Sequence, residues 1–223
     1  MKNNAALQKD VQDAIKWEPL LNAAEIGVTV KDGVVTLTGT VDSFTKKMEA
    51  EDAAKKVAGV KAVVIKIAIK LAHWGKTTDA EIAAEVLRVL KWNWKVPNNK
   101  VKVKVEDGLI TLEGDLHWNY QREAAKTAIQ NLMGVTGVTN NIKIQSESDD
   151  AVEKMSIESA LRRNWSVNDD DIHVEVSGTT VTLTGTVKSW YQRDEAEKIA
   201  WNALGVWSVD NELIVEYDYD LVN

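Results

Sequence analysis

The chain contains one segment three times, and this repetition constrains its fold more than any other feature. Residues 39–69 align without a gap on residues 114–144 and on residues 185–215. Each copy of the segment begins with a glycine and has a Gly-Val pair twenty residues later. A repeat of this length marks units that form their own elements and support their neighbours by packing. We therefore predict three tandem domains, here called repeats 1, 2 and 3, over residues 1–71, 78–145 and 150–216.

The hydrophobic pattern predicts the same order of elements in every repeat: helix, strand, strand, helix, strand. In repeat 2 apolar residues recur at helical spacing over residues 82–90, behind a Thr78-x-x-Glu81 capping box. Alternating strands follow, and they are joined at Asp107-Gly108, a hairpin signature that Asp32-Gly33 and Ser177-Gly178 repeat elsewhere. A helix with small residues on its inner face and a third strand complete the unit. We predict an α+β fold of three tandem two-layer αββαβ units, each with two helices on one face of a three-stranded mixed sheet.

The sequence lacks the residue patterns that catalysis and metal binding require. It has no Cys, and its three His are far apart, at His73, His117 and His173. There is no zinc-protease, P-loop or nucleophile-elbow pattern. The acidic run at residues 168–171 could offer oxygen ligands to Ca²⁺, but it lacks the spacing of a calcium loop, so we interpret it as a solvated turn. We expect a protein that is not an enzyme and that uses no cofactor and no metal.

Neither a membrane span nor a nucleic-acid partner is expected. A span needs about 20 apolar residues, and the best stretch, residues 57–72, is interrupted by Lys61, Lys66 and Lys70. The formal net charge of −7 repels phosphate at long range, which disfavours nucleic acid. The first ten residues lack the apolar core of a signal peptide. We therefore predict a cytoplasmic protein, or a periplasmic one if the native N-terminus lies upstream of Met1.

Charge is distributed unevenly along the chain, with a net +3 over residues 1–76, +1 over residues 77–145 and −11 over residues 146–223. Strand alternation predicts that the open face of the repeat 2 sheet is basic, through Lys100, Lys102, Lys104 and Lys143. It predicts an acidic open face in repeat 3, through Glu175, Glu212 and Glu216, with His173 beside them. Two interpretations remain open. The faces are simply solvated, or they dock on each other between repeats or between molecules, which gives rings or filaments.

The segment between the second strand and the second helix, here called the corner, combines aromatic residues with cations in every repeat. The corners are residues 42–47, 117–122 and 188–193. Arg122 has Lys126 rather than a carboxylate four residues later, so an external anion would relieve repulsion there. Aromatic rings favour the boundary between water and an apolar phase, where cations meet anionic headgroups. The residues that we assign to lipid or partner binding are Trp118, Tyr120, Arg122, Lys126, Lys102, Lys104, Lys143, Phe44, Lys47, Trp190, Tyr191 and Arg193.

The corners also have a purely structural interpretation. Aromatic residues in repeat proteins commonly fill the contact between neighbouring units, and Lys47 and Arg193 each have a glutamate four residues later that could form an ion pair. Nine Trp against one Phe make the indoles conspicuous in this chain. We expect Trp92, Trp94 and Trp165, at the ends of the first helices, to fill the core or the contacts between repeats.

The motif G-x-V-x-L-x-G-x-V at Gly33–Val41, followed by a helix with spaced alanines, a Gly-Val pair and a closing strand, resembles the BON domain of bacterial OsmY-like and secretin-associated proteins. The likeness covers nearly the whole chain, once per repeat, and the family's glycine of the second strand corresponds to Gly39, Gly114 and Gly185. The resemblance implies an αββαβ fold, a non-enzymatic role, and binding of phospholipid or partners in connection with envelope integrity, transport or stress.

The sequence therefore predicts a non-enzymatic BON-domain protein that binds an anionic phospholipid surface or an envelope protein, mainly through repeat 2. The alternative is a structural scaffold in which BON units dock into a ring or filament, so that the chain forms a homo-oligomer.

Overall fold

The computed structural model describes residues 3–70, 77–97, 99–145, 152–164, 167 and 171–216. The predictions made for His73, Trp165 and residues 168–170 lie outside these ranges. The described part of repeat 1 contains α1 (Asn4–Trp17), β1 (Ile26–Lys31), β2 (Val34–Val41), α2 (Phe44–Lys55) and β3 (Ala62–Ile69). Repeat 2 contains α3 (Asp79–Trp92), β4 (Val101–Glu106), β5 (Leu109–Leu116), α4 (Asn119–Ile129) and β6 (Gly137–Ile144). Repeat 3 contains α5 (Lys154–Arg163), β7 (Ile172–Ser177), β8 (Thr180–Val187), α6 (Trp190–Trp201), β9 (Ser208–Asn211) and β10 (Ile214–Val215).

Every repeat forms its own sheet, here called sheet 1, 2 or 3, with the second strand in the centre. In sheet 2, β4 and β5 pair antiparallel and β5 and β6 pair parallel. In sheet 3 the third strand is interrupted, so that β9 and β10 each pair parallel with β8. The predicted α+β fold of tandem αββαβ units with mixed sheets is confirmed.

The hairpin turns follow their sequence signatures, with one shift. Asp32-Gly33 and Asp107-Gly108 have positive φ at both positions, as a two-residue type I′ turn requires. In repeat 3, Ser177 pairs with Thr180, so the turn residues are Gly178-Thr179 rather than the predicted Ser177-Gly178. Gly178 has a φ of 60°, which matches the first position of a type II′ turn.

Both helices of a repeat pack on the same face of its sheet. In α3 the buried residues are Ile82, Val86 and Leu90, a stripe with a spacing of four residues, and the Thr78–Glu81 capping box precedes it. In the strands, buried and accessible residues alternate. Each aliphatic side chain that becomes fully buried contributes about 1.5–3 kcal/mol to folding. The opposite face of each sheet carries the accessible residues and provides the surface on which charge can be displayed.

A glycine is required in the middle of every central strand. Gly114 has a φ of 143°, and a Cβ at this position would lie 2.1 Å from the carbonyl oxygen of Lys100. At Gly39 and Gly185 the corresponding separation is 1.9 Å. No side chain fits at such distances. These are the glycines to which the family resemblance pointed, and they let the residue before the first strand approach the central strand. Their role is structural.

Contacts along the chain group it into two compact units. One unit contains Met1–Thr40, Lys46–Ala68 and Ala151–Asn223, and so joins most of repeat 1 with repeat 3. The other contains Val41–Thr45 and Ile69–Asp150, which is repeat 2 with a short segment of repeat 1.

Candidate functional site

The open face of sheet 2 is mixed in charge rather than basic. Lys102 and Lys143 are exposed there, as strand alternation predicted. The central strand β5 places the exposed side chains of Glu113 and Asp115 on the same face, with Glu113 opposite Lys102 and Asp115 opposite Lys143. The prediction of a basic face is therefore wrong, because it considered the two edge strands and left out the strand between them.

Lys104, a further predicted binding residue on this face, already has a partner. Its Nζ lies 2.8 Å from a carboxylate oxygen of Glu106 on the same strand. This hydrogen bond, together with the negative charges of Glu106 and Glu113, raises the pKa of Lys104 above its ordinary value. The ammonium of Lys104 therefore has a carboxylate partner on its own strand.

The strands of sheets 1 and 3 each carry charges of a single sign. Strands β1, β2 and β3 contain no acidic residue, and Lys31 and Lys66 are exposed on them. Strands β7 to β10 contain no Lys or Arg, and Glu175 and Asp210 are exposed on them. Glu212, Glu216 and His173 are exposed as well. The acidic face lies where the sequence placed it, whereas the basic face is that of repeat 1.

At the corner of repeat 3, Arg193 holds the interrupted third strand. Its guanidinium donates hydrogen bonds to the carbonyl oxygens of Leu213 at 3.2 Å and Asn211 at 2.6 Å, and it lies 5.4 Å from the centre of the Trp190 ring. The Asn211 amide donates in return to the Arg193 carbonyl at 3.0 Å and to the carboxylate of Glu197 at 3.0 Å. Arg193 therefore stabilises the gap between β9 and β10, and the ion pair with Glu197 that the sequence suggested is replaced by these contacts.

Trp190 packs repeat 3 against repeat 1 within the first compact unit. Its indole Nε1 donates to the carbonyl oxygen of Lys61 at 3.1 Å. On the same helix, burial raises the pKa of Asp194, and the positive charge of Lys55 on α2 opposes that rise. Burial also disfavours the charge of Lys55, but a hydrogen bond and the negative charge of Glu51, with that of Asp194, outweigh it and raise the pKa of Lys55. These contacts support the interpretation that this corner fills an interface between repeats.

The corner of repeat 2 is more accessible, but its arginine is not a free cation. Tyr120 is 50% exposed and Trp118 is half-buried. Nε of Arg122 lies 3.5 Å from a carboxylate oxygen of Glu123, and only 21% of its side chain is exposed. The adjacent carboxylate reduces the charge imbalance that Lys126 suggested, so the argument for an external anion at Arg122 is weaker than the sequence indicated.

The remaining predicted residues range from buried to exposed. Phe44 is buried and Lys47 and Lys126 are half-buried, whereas Tyr191 is 39% exposed.

Among the residues that the structure describes, no group of three His, Asp or Glu is placed to hold a metal ion. His117 lies with Nδ1 2.9 Å from the carbonyl oxygen of Gln145.

Two of the most exposed aromatic side chains lie at the end of α3, where the sequence analysis expected core or packing residues. Trp92 is 79% exposed and Trp94 is 86% exposed, so that expectation is wrong for both. Lys91 and Lys95 are exposed beside them, and Nζ of Lys95 lies 5.6 Å from the centre of the Trp94 ring. We call residues 91–95 the α3 tip.

The α3 tip is held in place by Asn93. The Asn93 side chain accepts a hydrogen bond from the Lys95 N–H at 3.1 Å and donates to the Ala124 carbonyl of α4 at 3.5 Å. Val96, which is buried, donates its N–H to the Asn93 carbonyl at 2.9 Å. The segment is thus fixed at Asn93 and Val96, and the indoles beside these anchors project outward. One signal in the sequence was available: Trp92 lies off the stripe of buried residues that ends at Leu90.

Repeat 1 has a related surface at the end of α1. Trp17 is 88% exposed and Leu20 is 56% exposed, and Lys16 is exposed next to them. Glu18 lies at the position of Asn93 and pairs with Lys56 at 3.5 Å, which ties this loop to its own repeat. Exposed indoles beside a lysine therefore occur at the end of the first helix in two repeats.

No helix within the described ranges combines the length and the apolar character that a bilayer crossing needs. The chain presents three small αββαβ units with a structural glycine in each central strand, and it belongs to the BON domain family, whose model matches residues 3–70, 78–146 and 149–217. The resemblance noted in the sequence is confirmed.

One relative is osmotically-inducible protein Y of Escherichia coli (strain K12). It is 29% identical over 145 residues, which cover 63% of this chain and 72% of the relative. Two solved structures of CdsD, a structural protein of the type III secretion system of Chlamydia trachomatis, also align. Both are 16% identical with a TM-score of 0.26, and they cover 94% and 95% of this chain and 97% and 93% of theirs. A TM-score this low carries no argument about function.

Proposed function

We propose that this chain is a non-catalytic protein that binds anionic phospholipid surfaces peripherally, and that the α3 tip of repeat 2 makes the contact. The observation that carries this proposal is the exposure of Trp92 and Trp94 between two exposed lysines. Isolated apolar side chains on a surface need no explanation, but two neighbouring indoles held outward by a hydrogen-bonded loop do.

The chemistry of the tip suits the interface of a bilayer. Indoles favour the headgroup level, where the ring is in an apolar phase and the N–H remains hydrated. The ammonium groups of Lys91 and Lys95 lie at the same end of the helix and would meet lipid phosphates. A basic residue near an anionic surface contributes about 1 kcal/mol at moderate ionic strength. Two such residues with two indoles give binding that is reversible and weakens with salt.

The corner of repeat 2 is assigned a secondary role in this proposal. Tyr120 is accessible and could touch headgroups, but Arg122 is engaged with Glu123. The mixed charge of sheet 2 also argues against that face as an anion surface. An envelope protein that recognises the same apolar and cationic tip is the competing partner.

The proposed biological setting is the cell envelope under stress. The relative in Escherichia coli is named as osmotically inducible, and the family resemblance implies a link to envelope integrity. A peripheral, non-enzymatic binder with weak contacts is compatible with such a role, because it can associate and dissociate as conditions change.

Vesicle flotation tests the proposal. Wild-type chain is mixed with vesicles of phosphatidylglycerol and phosphatidylcholine, or of phosphatidylcholine alone, and the floated fraction is measured at low and high salt. We expect flotation with the anionic vesicles only, and at least an approximately tenfold loss of affinity in Trp92→Ala/Trp94→Ala. Lys91→Glu/Lys95→Glu should lose binding as well.

Two control variants make the result specific. Lys9→Glu/Lys198→Glu changes the net charge by the same amount at exposed positions outside the tip and should bind normally. Trp118→Ala/Tyr120→Ala removes the aromatic residues of the corner and should retain most of the binding. If the corner variant loses flotation and the tip variant does not, the site is the corner. If the wild type does not float with anionic vesicles at low salt, the lipid proposal fails, and the tip must serve a protein.

A further inference from the structure

The open faces of sheets 1 and 3 are opposite in charge, and the central strands of both carry short side chains. On sheet 1 the lysines Lys31 and Lys66 stand on strands without any acidic residue; Lys70 is exposed one residue beyond β3, and Asp42 is exposed one residue beyond β2. On sheet 3 the strands carry no Lys or Arg. The exposed acidic residues on them or next to them are Glu175, Asp210, Glu212 and Glu216, and Lys188 is exposed one residue beyond β8. Sheet 2 lies between these extremes, since its lysines face carboxylates on the same surface.

The central strands of both faces carry short accessible side chains. On β2 the accessible residues are Val34 and Thr36, Thr38 and Thr40, and on β8 they are Thr180, Thr182, Thr184 and Thr186. Faces lined by threonine and small apolar residues let two sheets approach to about 10 Å, the usual distance between packed sheets. The charged side chains then lie on the edge strands, where they can reach across to the partner sheet.

Neither face is covered by another described part of the chain. Lys31 and Lys66 on one face, and Glu175, Asp210 and Glu212 on the other, are all exposed when every described residue is considered together. The two faces therefore do not meet within one molecule. Their complementary charge fits them to each other across two molecules.

We propose that a second copy of this chain docks its sheet 3 face on the sheet 1 face of the first, through the lysines of β1 and β3 and the carboxylates around β7 and β9. The two patches are different surfaces of the same chain, so the contact is heterologous and leaves a free face at each end. Repetition of the contact builds open chains, or rings if the rotation closes. This inference is independent of the lipid proposal, because the α3 tip belongs to neither face.

The size of the faces predicts the strength of the contact. Strands of six to eight residues in sheet 1, at about 3.3 Å per residue and about 4.8 Å between strands, give roughly 350 Å² on each partner. Stable interfaces bury at least about 1,200 Å² in total. The docking is therefore weak, and it depends on concentration and on ionic strength.

Sedimentation velocity without any vesicle tests this inference. The weight-average mass of the wild type should rise with protein concentration at about 50 mM NaCl and return to that of the monomer at about 500 mM NaCl, where screening shortens the reach of charge to a few ångströms. Lys31→Glu/Lys66→Glu should stay monomeric at low salt, as should Glu175→Lys/Glu212→Lys. Circular dichroism checks that both variants remain folded.

The decisive measurement mixes the two charge-reversed variants. The lysine variant keeps its native acidic sheet 3 face, and the glutamate variant keeps its native basic sheet 1 face, so these two native faces still fit each other. The mixture should regain the concentration-dependent mass that each variant alone lacks. Lys102→Glu/Lys143→Glu on sheet 2 is the matched control and should associate like the wild type. A wild type that stays monomeric at low salt overturns the inference, and so does assembly that persists in either reversed variant or fails to return in the mixture.

Discussion

The corner of repeat 3 and the α3 tip of repeat 2 contain the same kinds of side chain and differ in what those side chains contact. In the corner, Trp190 bonds to Lys61 of another repeat and Arg193 bonds to two carbonyl groups of its own sheet. In the tip, Trp92 and Trp94 are almost fully exposed. Tryptophan next to a cation thus forms an internal packing contact in the corner of repeat 3 and an exposed surface in the α3 tip.

Residue type alone therefore does not distinguish an internal packing contact from an exposed binding surface. An arginine at the start of a helix can reach the neighbouring strand, because its long side chain and planar guanidinium span the gap to unpaired carbonyls. Lys91 and Lys95, at the end of α3, are exposed and hold their ammonium groups in water. If this comparison is right, substitutions in the corner reduce stability and leave lipid binding intact, whereas those in the tip do the reverse.

The largest effect on stability is expected for Arg193→Ala. Loss of two hydrogen bonds from a charged donor, with loss of the ring contact, should lower the free energy of unfolding by about 3 kcal/mol. Urea unfolding followed by circular dichroism measures this. Arg193→Lys should recover little, because an ammonium cannot reach both carbonyls in the same geometry. Arg163→Ala, at an exposed site on α5, is the control, and an equal loss there would remove the distinction.

A smaller effect is expected for Trp190→Phe. The substitution keeps an aromatic ring beside Arg193 and removes the N–H that donates to Lys61. We expect the free energy of unfolding to fall by about 1 kcal/mol, the usual contribution of a single hydrogen bond. Trp207→Phe, at a site where the indole is 42% exposed, should change little under the same conditions. A Trp190 variant as stable as the wild type would mean that the indole hydrogen bond does not contribute to packing of the repeats.

Asp194→Asn is expected to have a still smaller effect, and to raise rather than lower the free energy of unfolding. Burial raises the folded-state pKa of Asp194 above its ordinary value, with Lys55 and Arg193 opposing. The folded state therefore favours the protonated carboxyl. Its contribution to the free energy of unfolding is present at low pH and is lost as the pH rises through the folded-state pKa. The variant should be slightly more stable than the wild type at pH 7, and the difference should vanish below the ordinary pKa of an aspartate. Unfolding curves over this pH range test it, and a variant less stable at pH 7 contradicts the sign.

No effect on stability is expected in the tip. Trp92→Ala/Trp94→Ala should change the free energy of unfolding by less than about 0.5 kcal/mol, as substitutions at exposed positions usually do. The measurement is the same urea titration. A loss comparable to that of Arg193→Ala would show that the indoles are packed in solution, and the tip would then resemble the corner rather than contrast with it.

Local patterns predicted most of the fold. The Thr78–Glu81 capping box, the Asp-Gly turns and the apolar stripe of α3 each depend on residues within a few positions, so the sequence was sufficient to place them. The turn of repeat 3 was placed one residue early, because a serine preceding Gly178 left the register of the hairpin ambiguous. Side chains that face the helices were also predicted from alternation alone.

The candidate surfaces were predicted less well, because their charge and exposure depend on residues that become neighbours only in the folded chain. Lys102 and Lys143 were assigned to a basic face because they are on edge strands, but Glu113 and Asp115 on the strand between them make the face mixed in charge. Arg122 was assigned an external anion because Lys126 follows it in the helix, but Glu123 was within reach of its side chain. In each case the prediction left out a carboxylate whose distance from the cation is set by the packing of the fold.

The amino-acid sequence was sufficient to predict a threefold repeat of αββαβ units, because periodicity and turn chemistry act over short distances. The three-dimensional fold was needed to show why the strand glycines are required, which indoles are exposed, and which sheets carry charges of a single sign. Those properties depend on side chains that are distant in sequence and adjacent in space, and the free energy of burying or exposing a group is set by all of its neighbours together.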